Sequence, residues 1–316
     1  MQTRELGTSG IAVSIVGIGG NNFGGRTDLV TTARIIDTAL ELGVDFIDTA
    51  DMYGGHFGAS EEVLGEVLQG RRNKFVLGTK FGLNPGTRNL RPVLADPAYV
   101  VSAFEASLRR LKTDTIDLYQ LHFPSETVPI LDTLDALDKL VRAGKVRAIG
   151  CSNLSAAQLA EAAGVADAND LAPFVTNQCE YSLIWREPEA DILPAMARLG
   201  ISFLPYFPLA SGLLSGKYQR GAPPPPNSRG AKMPALMSKY ETPENLDLID
   251  RLTTFAAERG HTLLDLAIAW LLADPRIASV IAGVSNGEQL TANVAAGGWQ
   301  LSAQDRASLN TLLEPA

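Results

Sequence analysis

Short apolar runs alternate with helical periods along the whole chain. Eight runs of four to seven mostly apolar residues have the length of buried β-strands. They lie at residues 15–19, 46–49, 75–80, 116–122, 148–152, 174–178, 202–207 and 279–284. The segments between them place apolar residues three and four positions apart, which forms one apolar stripe on a helix. The pattern therefore predicts eight strand-then-helix units.

Several helix starts and stripes can be read directly. Asp96 before Pro97 is an N-cap followed by proline at the first helical position, and Glu61 and Glu62 are acids in a first turn. We expect the stripes to face the sheet. Two of them are formed by Val101, Phe104, Leu108 and Leu111, and by Ile130, Leu134, Leu137 and Val141.

Alternation of this kind is typical of a parallel sheet with helices outside it, either a closed barrel or an open doubly wound sheet. The loop after the first strand, GIGGNNFGG from residue 17, lacks the third glycine of the dinucleotide fingerprint, which favours the barrel. No linker divides the chain. We therefore predict one α/β domain, residues 1–316, with a (β/α)8 TIM barrel, an N-terminal β-hairpin that turns at residues 7–10 over one barrel end, and a long loop after the seventh strand, residues 209–242.

Composition excludes several function classes. Of the 316 residues, 46% are hydrophobic and 20% charged, and the net charge is −8, which argues against a nucleic-acid or anionic-membrane partner. Neither an apolar run of membrane-spanning length nor a signal-peptide pattern is present, so we expect a cytoplasmic protein. Cys151 and Cys179 form no disulfide framework and are interpreted as buried packing residues. With three histidines in the chain, no metal site is expected.

Four polar residues of different chemistry come at or just after consecutive predicted strands. Asp48 ends the second strand, Tyr53 follows in its loop, Lys80 ends the third strand and His122 ends the fourth. In an α/β barrel the carboxyl ends of all strands meet on the face that carries the chemistry. Each residue alone has an ordinary explanation, such as a helix cap or a rim lysine, but their convergence on one rim indicates a site.

These groups suit proton transfer to a carbonyl oxygen or from an alcohol. A free tyrosine has a pKa of about 10, and an ammonium favours the phenolate, so we expect Lys80 to lower the pKa of Tyr53. Asp48 would be the counter-ion of Lys80, and His122 would hydrogen-bond a substrate oxygen. The set contains no nucleophile–base pair and no metal cluster, and it predicts a hydride partner, a nicotinamide.

The sequence resembles the aldo-keto reductase family over its whole length. The motifs that carry the resemblance are FIDTADMYG, TKFG, LYQLHFP, GCSN, NQCEYS, PLASGLLSGKY and IAGVSNGEQLTANV. The resemblance implies a (β/α)8 barrel that binds NAD(P)H without a Rossmann domain. It also implies a catalytic tetrad of Asp48, Tyr53, Lys80 and His122, with Tyr53 as general acid in reduction. The chain is most similar to the bacterial reductases related to potassium-channel β-subunits.

The resemblance further implies NADPH or NADP+ as cofactor, with NADH as an alternative. Ser152, Asn153 and Gln178 match the residues that bind the nicotinamide carboxamide, for which amide and hydroxyl groups supply donors and acceptors. Tyr206 matches the aromatic residue that stacks on the nicotinamide ring.

Lys217, Arg229 and Ser285 match the residues that reach the cofactor phosphates, and the preference for NADPH rests on them. The chain departs from the family pattern at Phe207, where serine is common, and at Ala292, where glutamate is usual. Gly283 and Gln289 stand where the aldose-reductase branch has lysine and arginine. The cofactor matches besides those already named are Phe207, Pro208, Leu209, Ser211, Gly212, Gly283, Gln289 and Asn293.

Aromatic residues on the strand-end loops predict an apolar pocket for a small aldehyde, ketone, sugar or alcohol. They are Phe23, Phe57, Phe81, Phe123 and Trp185. The sequence selects neither one substrate nor the direction of the reaction, and it does not indicate the oligomeric state.

Two other function classes are open. The first is a nucleotide-binding regulatory subunit like the channel β-subunits, with catalysis secondary. The second is a barrel hydrolase that uses Asp48 and Asp51 as a carboxylate pair, although this leaves Lys80 and Tyr53 unexplained. A short-chain dehydrogenase is not indicated, because no tyrosine has a lysine four residues later. In the reductase interpretation, Asp51 is a loop residue without an assigned role.

Overall fold

A hairpin and a barrel contain all the strands of the computed structural model, which describes residues 1–87, 91–226 and 228–314. Strands β1 (Thr3–Glu5) and β2 (Ala12–Ser14) pair antiparallel as the predicted hairpin. The other eight strands form one parallel sheet in the order β10-β3-β4-β5-β6-β7-β8-β9. These strands are β3 (Val16–Gly19), β4 (Phe46–Asp48), β5 (Val76–Phe81), β6 (Ile116–Leu121), β7 (Val146–Ser152), β8 (Phe174–Glu180), β9 (Ser202–Tyr206) and β10 (Val280–Gly283).

The sheet closes into a barrel between β9 and the segment that leads into β10. The Phe203 amide donates to the Arg276 carbonyl at 2.8 Å, and the Ala278 amide donates to the Phe203 carbonyl at 3.1 Å. Closure leaves no long unpaired edge. The predicted α/β barrel is therefore confirmed, and β4, β5 and β6 are neighbours in it, as the site prediction requires.

Helices surround the barrel, one or more after each strand of the sheet. Their starts follow the sequence signals: the Asp96 side chain accepts from the Tyr99 amide at 3.0 Å with Pro97 next, and Glu61 and Glu62 lie in the first turn of their helix. The helices are α1 (Leu29–Leu42), α2 (Ala59–Val67), α3 (Pro97–Leu111), α4 (Ile130–Arg142), α5 (Ala156–Ala168), α6 (Ile192–Leu199), α7 (Arg229–Lys232), α8 (Pro234–Ser238), α9 (Pro243–Ala257), α10 (Leu263–Leu272), α11 (Gly287–Ala296) and α12 (Ala303–Leu313).

The predicted stripe on α3 is wrong at its first position. Val101 is 43% exposed, whereas Val100 is buried together with Phe104, Leu108 and Leu111. Val100 is four residues before Phe104 and therefore lies on the same helix face, while Val101 is about 100° further round the helix axis. On α4 the stripe is as predicted, with Leu134 and Leu137 fully buried.

The hairpin covers the amino-terminal end of the barrel. Its Leu6, Ile11 and Val13 are buried against inward-facing apolar residues of the strands, among them Phe46 and Leu118. This contact keeps water out of the lower barrel interior, so polar chemistry is left to the opposite, carboxyl end.

The long segment after β9 is less irregular than predicted. It contains a 3-10 helix (Ala210–Ser215) and the short helices α7 and α8 before α9 begins. Residue 227, within the proline-rich stretch, lies outside the described residues. Within the described part of the chain, no helix is long and apolar enough to cross a membrane.

Candidate active site

A buried ion pair joins β4 to β5 at the carboxyl end of the barrel. Lys80 has no exposed surface and Asp48 is 2% exposed. The Lys80 ammonium donates to Asp48 Oδ2 at 2.5 Å and to the Thr49 carbonyl at 3.0 Å. Burial alone lowers the pKa of Lys80, and the Asp48 carboxylate opposes that shift by raising it. The prediction that Asp48 would be the counter-ion of Lys80 agrees with this geometry.

The second Asp48 oxygen binds two glutamine amides. Oδ1 accepts from Gln120 Nε2 at 2.9 Å and from Gln178 Nε2 at 3.2 Å, so both carboxylate oxygens are occupied. Gln178 was expected to bind a nicotinamide carboxamide and is here tied to the ion pair. Sequence reasoning missed Gln120, which has no exposed surface in the structure. The signal that could have found it is a glutamine inside the otherwise apolar strand LYQLH, because a polar residue in a buried strand needs a partner.

Tyr53 lies in the loop after β4, over the ion pair. The Lys80 ammonium is 5.2 Å from the centre of its ring, and the His122 ring meets it edge-on at 5.8 Å. Burial raises the pKa of Tyr53 well above 10, and the carboxylates of Asp48 and Asp51 raise it further. The expectation that Lys80 lowers this pKa is wrong for this structure, because burial of the phenol and the two nearby carboxylates outweigh any effect of the ammonium.

His122 is a neutral imidazole in this site. It is 6% exposed, and burial together with the nearby Lys80 holds its pKa well below 6.5. Its Nδ1 has no hydrogen-bond partner among the described residues, and the Phe123 ring stacks on it at 5.0 Å. A neutral imidazole offers one donor and one acceptor, and it is held beside Tyr53 on the rim.

The residues at the end of β7 and directly after it form a hydrogen-bonded chain that leads away from His122. Ser152 Oγ donates to the Gln178 carbonyl at 2.8 Å. Asn153 Nδ2 donates to the His122 carbonyl at 3.0 Å, and the Tyr206 hydroxyl donates to Asn153 Oδ1 at 2.9 Å. The structure thus brings together all four residues that were predicted to lie at the nicotinamide.

Backbone in the left-handed region is concentrated beside this chain. Of six described residues other than glycine with positive φ, four lie here: Asn153, Phe207, Ala210 and Ser211. Such strain is common at binding sites, and successive amides in these conformations form anion-binding concavities. The Ser211 hydroxyl is buried, and its one hydrogen bond among the described residues is with the Tyr240 side chain. A run of left-handed backbone of this kind fits a phosphate group.

Arg229 begins α7 and is oriented by Phe207. Its guanidinium lies 5.6 Å from the centre of the Phe207 ring, and burial lowers its pKa, with the charge of Arg26 adding to that shift. Phe207, at which the resemblance led us to expect a serine, therefore contacts a cation instead of supplying a hydroxyl. Arg229 is not a solvated loop charge.

The remaining cofactor candidates lie along the same rim. The Ser285 amide donates to Gln289 Oε1 at 2.8 Å at the start of α11, where Asn293 is buried. A Cβ on Gly283 would lie 2.9 Å from Asn21 Oδ1, so a side chain there would require the Asn21 side chain to move. Lys217 lies beside Gly212, whose φ is +104°; a Cβ on Gly212 would lie 3.2 Å from Nζ. Pro208 is buried and Leu209 half-buried at the start of the loop.

The predicted pocket aromatics fall into two groups. Phe23 and Phe81 have no exposed surface and pack in the main core, where Phe81 stacks on Tyr119 at 4.7 Å, so we assign both to the core. Phe57, Phe123 and Trp185 are half-buried on rim loops. Aromatic residues occur in both the core group and the rim group, so residue type alone does not distinguish a core position from a pocket position.

The carboxylate pair of the hydrolase interpretation is not supported by this geometry. Both oxygens of Asp48 are taken by Lys80 and the two glutamines. Asp51 is not an exposed loop residue but is 1% exposed. No group of three metal-ligating side chains occurs within the part of the chain that the structure describes.

We expect Asp48→Asn to reduce the free energy of unfolding by roughly 3–5 kcal/mol, because it leaves the Lys80 ammonium buried without a counter-ion. Urea unfolding measures the loss. The double variant Asp48→Asn/Lys80→Met should recover much of it. Asp135→Asn, which breaks an exposed pair with Lys139 on α4, is the control and should cost less than about 1 kcal/mol. Equal losses in the two single variants would show that the buried pair is not the constraint described here.

Comparison with known proteins agrees with this fold. The family model of the Aldo/keto reductase family matches residues 15–314. "Aldo-keto reductase YhdN" of Bacillus subtilis is 35% identical over 99% of this chain and 94% of that protein. "Uncharacterized oxidoreductase YrpG" of the same organism is 35% identical over 92% of this chain and 89% of that protein. A "Probable voltage-gated potassium channel subunit beta" of Arabidopsis thaliana is 34% identical over 94% of this chain and 91% of that protein. The chain belongs to the aldo/keto reductase family.

Proposed function

We propose that this protein is an NADPH-dependent reductase that converts the carbonyl of a small aldehyde, ketone or sugar to an alcohol, or catalyses the reverse reaction. The observation that carries the proposal is the buried Asp48–Lys80 pair, which lies beneath Tyr53 and beside the neutral His122. Family membership and the oxidoreductases among the relatives support the general class.

Tyr53 is the general acid of this proposal. Its raised pKa keeps the phenol protonated through the neutral range, so it holds the proton that a carbonyl oxygen needs as it becomes an alcohol. Lys80, below it, stabilises negative charge that develops on the phenolic oxygen. His122 offers a hydrogen bond that places the same substrate oxygen against Tyr53.

The cofactor, when bound, supplies the hydride. Ser152, Asn153 and Gln178 would hold its carboxamide, and Tyr206 would face its ring. The left-handed backbone at Ala210 and Ser211 would hold the diphosphate. The side chains that would bind the cofactor phosphates are those of Lys217, Arg229 and Ser285. NADPH is favoured over NADH because Arg229 offers a fork of donors suited to a phosphate.

The substrate is a small molecule in this proposal. The half-buried Phe57, Phe123 and Trp185 supply apolar walls around the polar group, which is typical of pockets for small organic ligands. Two buried thiols that are not bonded to each other suit a reducing cytoplasm. We also propose that the whole chain folds as one domain.

A nucleotide-binding regulatory subunit is the second candidate, because two relatives bear the name "Probable voltage-gated potassium channel subunit beta". The candidates differ in turnover. A panel of aldehydes, ketones, sugars and alcohols, tested with NADPH, NADH and their oxidised forms, separates them. Turnover supports the reductase, and tight nucleotide binding without any turnover supports the regulatory subunit.

Tyr53→Phe should abolish reduction of a model aldehyde, with kcat falling by at least about 100-fold, because the acid is removed. NADPH binding, measured by fluorescence titration, should survive. Tyr181→Phe, which loses a hydroxyl bonded to Glu189, is the matched control and should retain activity within a few-fold. If Tyr53→Phe turns over at the wild-type rate, Tyr53 is not the acid.

Arg229→Ala should weaken NADPH binding by roughly 10-fold or more, since a charged hydrogen bond contributes about 1.5–3 kcal/mol, and should change NADH binding much less. Calorimetric titration measures both affinities. Arg220→Ala, which removes an exposed arginine paired with Asp247 and Asp250, controls for the loss of one positive charge. Equal effects of Arg229→Ala on the two nucleotides would show that Arg229 does not distinguish them.

A further inference from the structure

Asp51 is a buried acid behind the tetrad to which neither the proposed reaction nor the sequence gives a role. It is 1% exposed, and neither carboxyl oxygen has a hydrogen-bond partner of normal geometry among the described residues. The backbone fixes its position, because its amide donates to the Lys80 carbonyl at 3.1 Å and its carbonyl accepts from the Gly58 amide at 2.5 Å. Hydrogen bonds of the Asp51 amide and carbonyl therefore hold its side chain in the buried position.

Charged and titratable groups face Asp51 from every element packed around it. Glu61 of α2 and Arg110 of α3 interact with it electrostatically, as does Lys80 of β5. The phenols that feel its charge are Tyr53 in its own loop, Tyr99 of α3 and Tyr119 of β6. The Tyr119 hydroxyl is likewise buried without a partner among the described residues.

The two cations near Asp51 are already committed to other acids. Lys80 donates to Asp48 at 2.5 Å, and Arg110 Nε donates to Glu61 Oε2 at 2.7 Å. Within the Asp48–Lys80 pair and within the Glu61–Arg110 pair, the two charges balance. An ionised Asp51 would therefore add one uncompensated negative charge to a buried space. Such a charge is costly, and a buried carboxyl in this position takes up a proton instead.

Electrostatics agree with this charge count. Burial raises the pKa of Asp51 well above 3.8, and the neighbouring Glu61 raises it further, against smaller opposing effects of Arg110, the Met52 amide and Lys80. Asp51 in turn acts on its neighbours. Its charge adds to the effect of burial in raising the pKa of Tyr53, and it opposes the effect of burial in lowering the pKa of Lys80.

We propose that Asp51 is a positioning residue for proton transfer at Tyr53: buried without a counter-ion between two ion pairs that are already formed, it carries a proton, and the charge that it gains on losing this proton opposes loss of the Tyr53 proton. The catalytic part rests on the proposed function. Asp51 touches no reacting atom in this proposal and acts through space on the phenol and on the ammonium beneath it.

The first test is the pH dependence of stability, which needs no substrate. An unfolded aspartate has a pKa of about 3.9, so stability from the protonated Asp51 is complete below that pH and is lost as pH rises towards the raised pKa of the folded protein. Asp51→Asn copies the neutral acid and cannot lose this stability. The Tm of Asp51→Asn minus that of the wild type should therefore grow as pH rises above about 4.

Two further variants keep the stability test decisive. Asp45→Asn removes an equal charge at the other end of β4, where its side chain accepts from the Ser14 amide, and its Tm difference should show no such growth with pH. Asp51→Leu has the same branching and number of side-chain heavy atoms, is larger and carries no charge, and it should show the same direction as Asp51→Asn if the asparagine folds poorly. A Tm difference that stays constant with pH for both Asp51 variants overturns the buried acid.

The second test is the pH profile of alcohol oxidation with NADP+. Without the Asp51 anion, Tyr53 loses its proton more readily, so the alkaline rise of kcat in Asp51→Asn should move to lower pH by roughly one unit relative to the wild type and to Asp45→Asn. If Asp51 had only a structural role, Asp51→Asn would lower kcat without shifting its pH profile. Superimposable profiles overturn the action on Tyr53.

The two tests separate this proposal from the proposed function. If the wild type turns over no alcohol or carbonyl, the proposed function fails, and the catalytic part of this proposal fails with it. The stability profile then still decides whether Asp51 is a buried acid.

Discussion

A lysine without exposed surface must keep its charge inside the barrel, and much of the site is arranged around that constraint. Lys80 pairs with Asp48 at 2.5 Å, and Gln120 and Gln178 fill the remaining carboxylate oxygen. Four strands of the barrel, β4, β5, β6 and β8, contribute these side chains, and their parallel order brings the carboxyl ends together. The hairpin covers the opposite end of the barrel and leaves this rim as the polar end.

The same hydrogen bonds link proton transfer to the proposed cofactor site. Gln178 binds Asp48 through its side chain and accepts from Ser152 through its carbonyl. Asn153 is held between the His122 carbonyl and the Tyr206 hydroxyl, with a strained backbone. A cofactor that uses these residues would thus rest on the groups that hold the ion pair, so hydride and proton chemistry would share one rigid support.

Much of the fold and the positions of the site residues could be predicted from the sequence. The barrel follows from alternating strand and helix periods, and the convergence of Asp48, Lys80 and His122 follows from their places at strand ends. The rest depends on distances. The sign of the Tyr53 pKa shift depends on how deeply the phenol is buried and how close the carboxylates of Asp48 and Asp51 lie. The burial of Asp51 depends on how the chain packs around its loop. Local pattern contains neither quantity.

The most direct test of the account is the charge of Lys80 itself, observed through the ¹⁵N resonance of its side chain by NMR across a pH titration. We expect an ammonium at neutral pH in the wild type. The Asp48→Asn variant should lose the Lys80 proton at a clearly lower pH, because the carboxylate that most strongly opposes desolvation of the amine is then absent. A neutral amine in the wild type at neutral pH, or identical titrations in the two proteins, would contradict the account.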